Sequence, residues 1–227
     1  MKNIDRFDNN FFDWRNSSTG NPSQFNIHYP ETAKVIQRHF HGMSMLEVGC
    51  GMGWITGHLQ RMGENCEGFD VVSYAIEQGL AKGVAKNIFC MDMMECEKLN
   101  KKWDLVFCIN SMAYLSRDEV PIALKNLAQI FDKTLFMSIQ TWQNMYIREG
   151  KMPEKYSFVG TKAIAARKTD ETHDWWLERM FEAGMDLDWD LYKKIKFDTV
   201  GLPASDFRSG SVGWRGLDSI FVMKHAG

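Results

Sequence analysis

Nine residues constrain this 227-residue chain more than any others: LEVGCGMGW, positions 46–54, where Gly49, Gly51 and Gly53 separate an apolar run from an amphipathic one. Glycines at this spacing let the backbone turn tightly and bring a ligand close to main-chain N–H groups at the start of a helix. The run before them, MSMLEV (43–48), reads as a strand, and WITGHLQRM (54–62) reads as a helix stopped by Gly63. The same alternation continues downstream. NCEGFDVV (65–72) is a second strand, SYAIEQGLA (73–81) a helix with Ser73 as N-cap, and KNIFCMD (86–92) a third strand. WDLVFCIN (103–110) is a fourth, RDEVPIALKNLAQIF (117–131) a helix and TLFMSIQT (134–141) a fifth strand. Strands this continuously apolar, alternating with helices, predict an α/β fold with a mostly parallel sheet covered on both faces.

The flanks are less regular. ETAKVIQRHF (31–40) predicts a short helix with Pro30 at its first position. Residues 142–172 show no clean period and carry Arg148, Lys151, Lys155, Lys162, Arg167 and Lys168, so they read as an insertion. Beyond it, HDWWLERMFEAGM (173–185) predicts a helix, DWDLYKKIKF (188–197) a strand, residues 205–216 a loop and DSIFVMKH (218–225) a last strand. Two strands joined without a helix must run antiparallel, so the sheet is expected to end in a hairpin. With no internal repeat or linker, residues 1–227 are expected to form one domain.

Composition excludes several roles. Lys and Arg number 27 against 29 Asp and Glu, a net charge of −2, whereas binding by counterion release usually needs a basic domain. No nucleic-acid partner is expected. The cysteines, Cys50, Cys66, Cys90, Cys96 and Cys108, form no CxxC and no zinc spacing, so no metal is expected and a reducing, cytoplasmic setting is. No run approaches the ~18 apolar residues of a membrane span, and the first residues hold no apolar signal core.

Polar residues mark the ends of the predicted strands. Glu47 precedes the glycines, Asp70 ends the second strand, Asp92 the third, and Asn110 with Ser111 the fourth. An acid at the end of the second strand can accept hydrogen bonds from both hydroxyls of a ribose. The nicotinamide fingerprint GxGxxG starting at Gly49 would need glycine at 54, where this chain has Trp54. Glu47 beside the turn suits an ammonium group better than a pyrophosphate.

Over residues 31–225 these features resemble the class I S-adenosylmethionine-dependent methyltransferases: ExGxGxG at 47–53, the two acids at strand ends, and INSMAYL after strand four. The resemblance implies a Rossmann-like seven-stranded sheet of order 3-2-1-4-5-7-6 with strand seven antiparallel, and S-adenosyl-L-methionine as cofactor. It places Gly49, Gly51 and Gly53 around the methionine moiety, Asp70 on the ribose, Asp92 with Met93 near adenine, and Asn110 near the methionine amino end. Cys50, Trp54, Val71 and Ser111 are expected at the cofactor site as well. Glu47 would support the turn and reach the ammonium through water.

Methyl transfer from a sulfonium is an in-line displacement, and a hydroxyl acceptor also needs a base. The adenine-amino tetrad (N/D)PP(Y/F) is replaced here by Asn110-Ser111-Met112-Ala113, which points away from nucleic-acid methylation and toward an O or N nucleophile of a small molecule. Acceptor contacts are expected from residues 1–30 as a lid or arm, and from 111–116, 142–172 and 201–216. Candidate bases are His28, Tyr29, Tyr114 and His173. Arg208, Arg215 and the basic residues of 142–172 suggest an anionic acceptor. The alternatives are a non-catalytic S-adenosylmethionine-binding partner protein and an NAD-dependent oxidoreductase; a homodimer through residues 1–30 stays open.

Overall fold

Alternation along each strand sends side chains into two cores. The computed structural model describes residues 23–139, 168–169, 171–200 and 220–227. Its strands are β1 (Met45–Val48), β2 (Cys66–Asp70), β3 (Ile88–Cys90), β4 (Trp103–Ile109), β5 (Phe131–Ser138), β6 (Met185–Leu187) and β7 (Ile220–His225). Leu46 and Val48 of β1, Val106 and Cys108 of β4, Leu135 and Met137 of β5, and Phe221 and Met223 of β7 enter one core. Their neighbours Met45, Leu105, Phe107, Phe136, Ile220 and Val222 enter the other. Period-two alternation with both faces apolar is why these strands read as nearly unbroken hydrophobic runs.

The helices are α1 (Ser23–Phe40), α2 (Trp54–Arg61), α3 (Ser73–Ala81), α4 (Glu119–Ile130), α5 (His173–Glu182) and α6 (Trp189–Val200), with 3₁₀ segments at Met93–Leu99 and Met112–Tyr114. The first core is closed by Cys96 of the longer 3₁₀ segment, Leu124 and Leu127 of α4, and Trp176 and Met180 of α5. Ile36 and Phe40 of α1, Ile55 and Leu59 of α2, and Ile195 of α6 close the second. No helix among the described residues is long and apolar enough to cross a membrane.

The sheet order is β3-β2-β1-β4-β5-β7-β6, as expected. β1 through β5 pair in parallel, and β7 runs antiparallel to both β5 and β6. Order reverses between β1 and β4, where the connections leave toward opposite edges. In open α/β sheets that is where ligands bind, at the carboxyl ends of the strands.

Three expectations need correction. Residues 188–197 are not a strand: β6 is only Met185–Leu187, and α6 follows it, so β6 and β7 are antiparallel neighbours without forming a hairpin. Asp188 starts the helix by accepting from Leu191 N at 3.0 Å, and Leu191 and Ile195, four apart, turn inward. Pro30 does not open a helix either. It lies inside α1, which begins at Ser23, and its missing N–H removes one backbone bond while Ala33, Ile36 and Phe40 hold the helix on the core. Ser73 is the first helical residue of α3 and not its cap; Val72 holds that position without a side-chain bond.

Candidate active site

The turn after β1 is built from backbone conformations that favour glycine. Gly49, Gly51 and Gly53 have φ of 73°, 57° and 79°. At Gly49 a Cβ would lie 2.3 Å from Ser111 Oγ and 2.5 Å from Ser111 Cβ, so a side chain there is excluded on two counts. Ser111, just beyond β4, donates through its hydroxyl to the Gly49 carbonyl at 3.1 Å, fastening the turn to the neighbouring strand exit.

The backbone N–H groups of this turn are directed inward. Gly49 N and Cys50 N both donate to the Phe69 carbonyl at 2.9 Å, Gly53 N donates to the Cys50 carbonyl at 2.9 Å, and Gly51 N donates to Asp70 Oδ2 at 2.8 Å. With these four donors engaged within the protein and two buried carboxylates beside it, the turn is a poor seat for a pyrophosphate, which argues against the nicotinamide reading.

Glu47 is buried, and its Oε2 accepts from Thr56 N at 2.9 Å and Thr56 Oγ1 at 2.6 Å. Thr56 is the third residue of α2, so the carboxylate satisfies one of the N–H groups that a helix start leaves without an intrahelical partner. Burial pushes the Glu47 carboxyl up to about 7, against the lowering effect of the two Thr56 bonds. Its direct partner is therefore α2. Thr56 lies on the next element, and nothing local in the sequence marks it.

Asp70 holds both ends of the site. Its Oδ2 accepts from Gly51 N and its Oδ1 from Val72 N at 3.0 Å, fixing the entry to α3. A carboxylate oxygen can accept more than one hydrogen bond, which is the chemistry a ribose diol calls for. Register places Asp70 beside Cys90, bringing the ends of β2 and β3 level. Two residues on, Asp92 caps the 3₁₀ segment by accepting from Met94 N at 2.9 Å, and Met93 packs partly buried along the same edge. Asn110 has φ of 58°, a left-handed conformation that Asn tolerates, and its N donates to the Ser138 carbonyl at 2.7 Å.

An apolar wall completes this end. Met52, Trp54, Val71, Val72, Tyr74 and Ala75 pack together, and Tyr29 of α1 stacks on Trp54 with centroids 6.4 Å apart and planes within 4°. Met52 and Tyr74 carry no motif that would single them out in the sequence.

The candidate bases separate. His173 opens α5, and its ring stacks on Phe221 at 4.8 Å. Phe221 pairs with Met137, one residue from the end of β5, which puts His173 at the ligand end of the sheet. Thr172 caps α5 by accepting from Trp175 N at 3.2 Å, so His173 is not needed for that task. Tyr114 is half-buried in the 3₁₀ turn after β4. The side chain of His28 lies outside the described residues, as do Arg148, Lys151, Lys155, Lys162, Arg167, Arg208 and Arg215. Lys168 faces Glu119 at 3.9 Å. Cys50, Cys66, Cys96 and Cys108 are buried and Cys90 exposed, and no group of three metal-ligating side chains occurs among the described residues.

Residues 45–133, from β1 into β5, match the family described as methyltransferase domain. The fold is shared with magnesium protoporphyrin IX methyltransferase ChlM of Synechocystis PCC 6803 with bound SAH, at TM-score 0.62 and 15% identity over 98% of each chain. It is shared with the CcbJ methyltransferase of Streptomyces caelestis at TM-score 0.61 and 11% identity, over 88% of this chain and 90% of that one. A TehB-like SAM-dependent methyltransferase from Corynebacterium glutamicum gives TM-score 0.58 and 19% identity over 96% and 97%. No curated protein matches the chain. Residues 45–133 thus carry a methyltransferase-domain match, and the glycine turn and sheet order give the chain the Rossmann-like fold of these S-adenosylmethionine-dependent methyltransferases.

S-adenosylmethionine fits the residues present. Asp70 offers two oxygens to the ribose hydroxyls, and two buried acids beside the turn favour a ligand carrying positive charge. The aromatic pair Tyr29–Trp54 supplies faces of the kind that attract a sulfonium or ammonium.

Proposed function

We propose that the protein transfers the methyl group of S-adenosylmethionine to an O or N nucleophile of a small, anionic acceptor, with His173 as the base. The observation that carries the cofactor half is the Asp70 carboxylate, placed at the end of β2 beside the glycine turn and bonded to Gly51 N. The cofactor supplies an electrophilic methyl on a sulfonium; the chain's own part is to align the nucleophile and exclude water.

The acceptor half rests on position. His173 is partly exposed, braced by Phe221, and set at the end of β5 beside the turn after β4. A neutral imidazole there would take the proton of a hydroxyl as it attacks; an amine needs less help. Nearby charge is of mixed sign among the described residues, with Lys168 against Glu119 and Arg117 paired to Glu171. The anionic acceptor therefore rests on the basic residues of 142–172 and on Arg208 and Arg215 in the sequence.

The test is a panel of small phenols, carboxylates, phosphates and amines with labelled S-adenosylmethionine, followed by His173→Gln on whichever is methylated. We expect kcat to fall about 100-fold for a hydroxyl acceptor, within the range of general-base catalysis, with cofactor affinity unchanged. A His173→Gln enzyme with full kcat would remove the base, and an acceptor KM indifferent to salt would remove the anionic group.

A further inference from the structure

Thr169 joins two parts of the molecule that the chemistry needs in register. Lys168 and Thr169, and then Glu171 and Thr172, precede α5 in the chain, and the turn Met112–Tyr114 follows Asn110 and Ser111 at the exit of β4. Lys168 N and Thr169 N both donate to the Ala113 carbonyl, at 3.0 and 3.2 Å. Thr169, only 1% exposed, donates through its hydroxyl to the Leu115 carbonyl at 2.5 Å. Outside, Arg117 pairs with Glu171. On the other side of the turn, Tyr114 N donates to the Ser111 carbonyl at 3.2 Å and Ser111 Oγ donates to Gly49 O. Hydrogen bonds thus link the glycine turn, Ser111, the 3₁₀ turn and Thr169, and His173 stands four residues later in the sequence.

We propose that Thr169 is a positioning residue that seats the start of α5, with His173, on the turn that lines the cofactor site. A surface ion pair such as Arg117–Glu171 contributes little and leaves geometry loose. A buried hydroxyl bonded to a carbonyl is directional, and losing it removes that carbonyl's bond to Thr169. When the cofactor orders Asn110 and Ser111, the order passes to residues 168–176. This rests on the methyltransferase reading, because it concerns what cofactor binding does at a distance.

Hydrogen exchange on the full chain tests it, with S-adenosylhomocysteine as the probe and calorimetry confirming that it binds. In the wild type the probe is expected to slow exchange across 168–176 about 3- to 10-fold, the worth of roughly one hydrogen bond. Thr169→Ser keeps the hydroxyl and should keep the effect. Thr169→Val keeps the shape, and should lose the effect at probe concentrations that calorimetry shows to saturate it. Slowing that persists in Thr169→Val overturns the proposal, and so does a wild type that binds the probe with no slowing at 168–176. Should Thr169→Val fail to fold, the wild-type measurement alone decides. Failure of the probe to bind at all strikes the cofactor reading instead, and calorimetry shows that separately.

Discussion

The hydroxyl of Ser111 donates to the carbonyl of Gly49 at 3.1 Å, at the point where the sheet's strand order reverses. The contact leaves no room for a Cβ on Gly49, whose φ of 73° already disfavours one. Gly49→Ala is expected to weaken S-adenosylhomocysteine binding more than tenfold and to lower the melting temperature. Adding Ser111→Gly should recover only part of the loss, because the left-handed strain of about 1–2 kcal/mol remains. Calorimetry on the two variants checks this; a double variant no better than the single one would show that the clash is not the cause.

Asp70 accepts from Gly51 N and Val72 N with different oxygens. Asn in its place keeps one acceptor and turns an NH₂ toward the other donor. With a charge-assisted bond worth roughly 1.5–3 kcal/mol, Asp70→Asn should weaken cofactor binding about 10- to 100-fold. A dissociation constant within twofold of the wild type would remove Asp70 from the site.

Glu47 couples the turn to pH. Its carboxyl is raised from 4.5 to about 7 in the folded protein, chiefly by burial. In this window the unfolded chain has already released a proton that the folded one still holds. Stability from this group is therefore full below pH 4.5 and is lost as pH rises through 7, by about 3 kcal/mol in total. Glu47→Gln stays neutral and can still accept from Thr56. Urea unfolding should find the variant more stable than the wild type at pH 8 and the gap largely closed by pH 5; parallel pH profiles for the two proteins would contradict this.

The Tyr29–Trp54 stack joins α1 to the first residue of α2. Aromatic pairs are worth about 0.5–1.5 kcal/mol beyond their burial. A double-mutant cycle with Tyr29→Ala and Trp54→Ala, read by denaturant unfolding, should give a coupling of about 1 kcal/mol. Additive effects would mean that α1 is held by its core residues, Ala33, Val35, Ile36 and Phe40, without the stack.

Legibility in the sequence followed the range of the interactions. Gly49, Gly51 and Gly53 were legible because their φ values are ones that other residues avoid. The strands through Ser138 were legible because both faces of the sheet are covered. Trp189, Leu191, Ile195 and Phe197 all stand at odd positions, which mimics a strand, yet the same stretch satisfies a helix with Leu191 and Ile195 inward. The Asp188 cap was the available signal. Pairs such as Glu47–Thr56 and Thr169–Leu115 could not be read, since the chain must fold before their partners are neighbours.

The bond between Asp70 and Gly51 is a contact within the protein. On the function proposed above, cofactor and demethylated product would bring the same ribose to Asp70, and a contact to that ribose has no means of telling them apart. Discrimination is left to the methyl and its charge. Occupancy by the productive form should then follow the ratio of the two compounds and not the amount of either, making the protein's output a reading of how fast its surroundings clear the product. Competition calorimetry that found the product bound 100-fold more weakly than the cofactor would refute this.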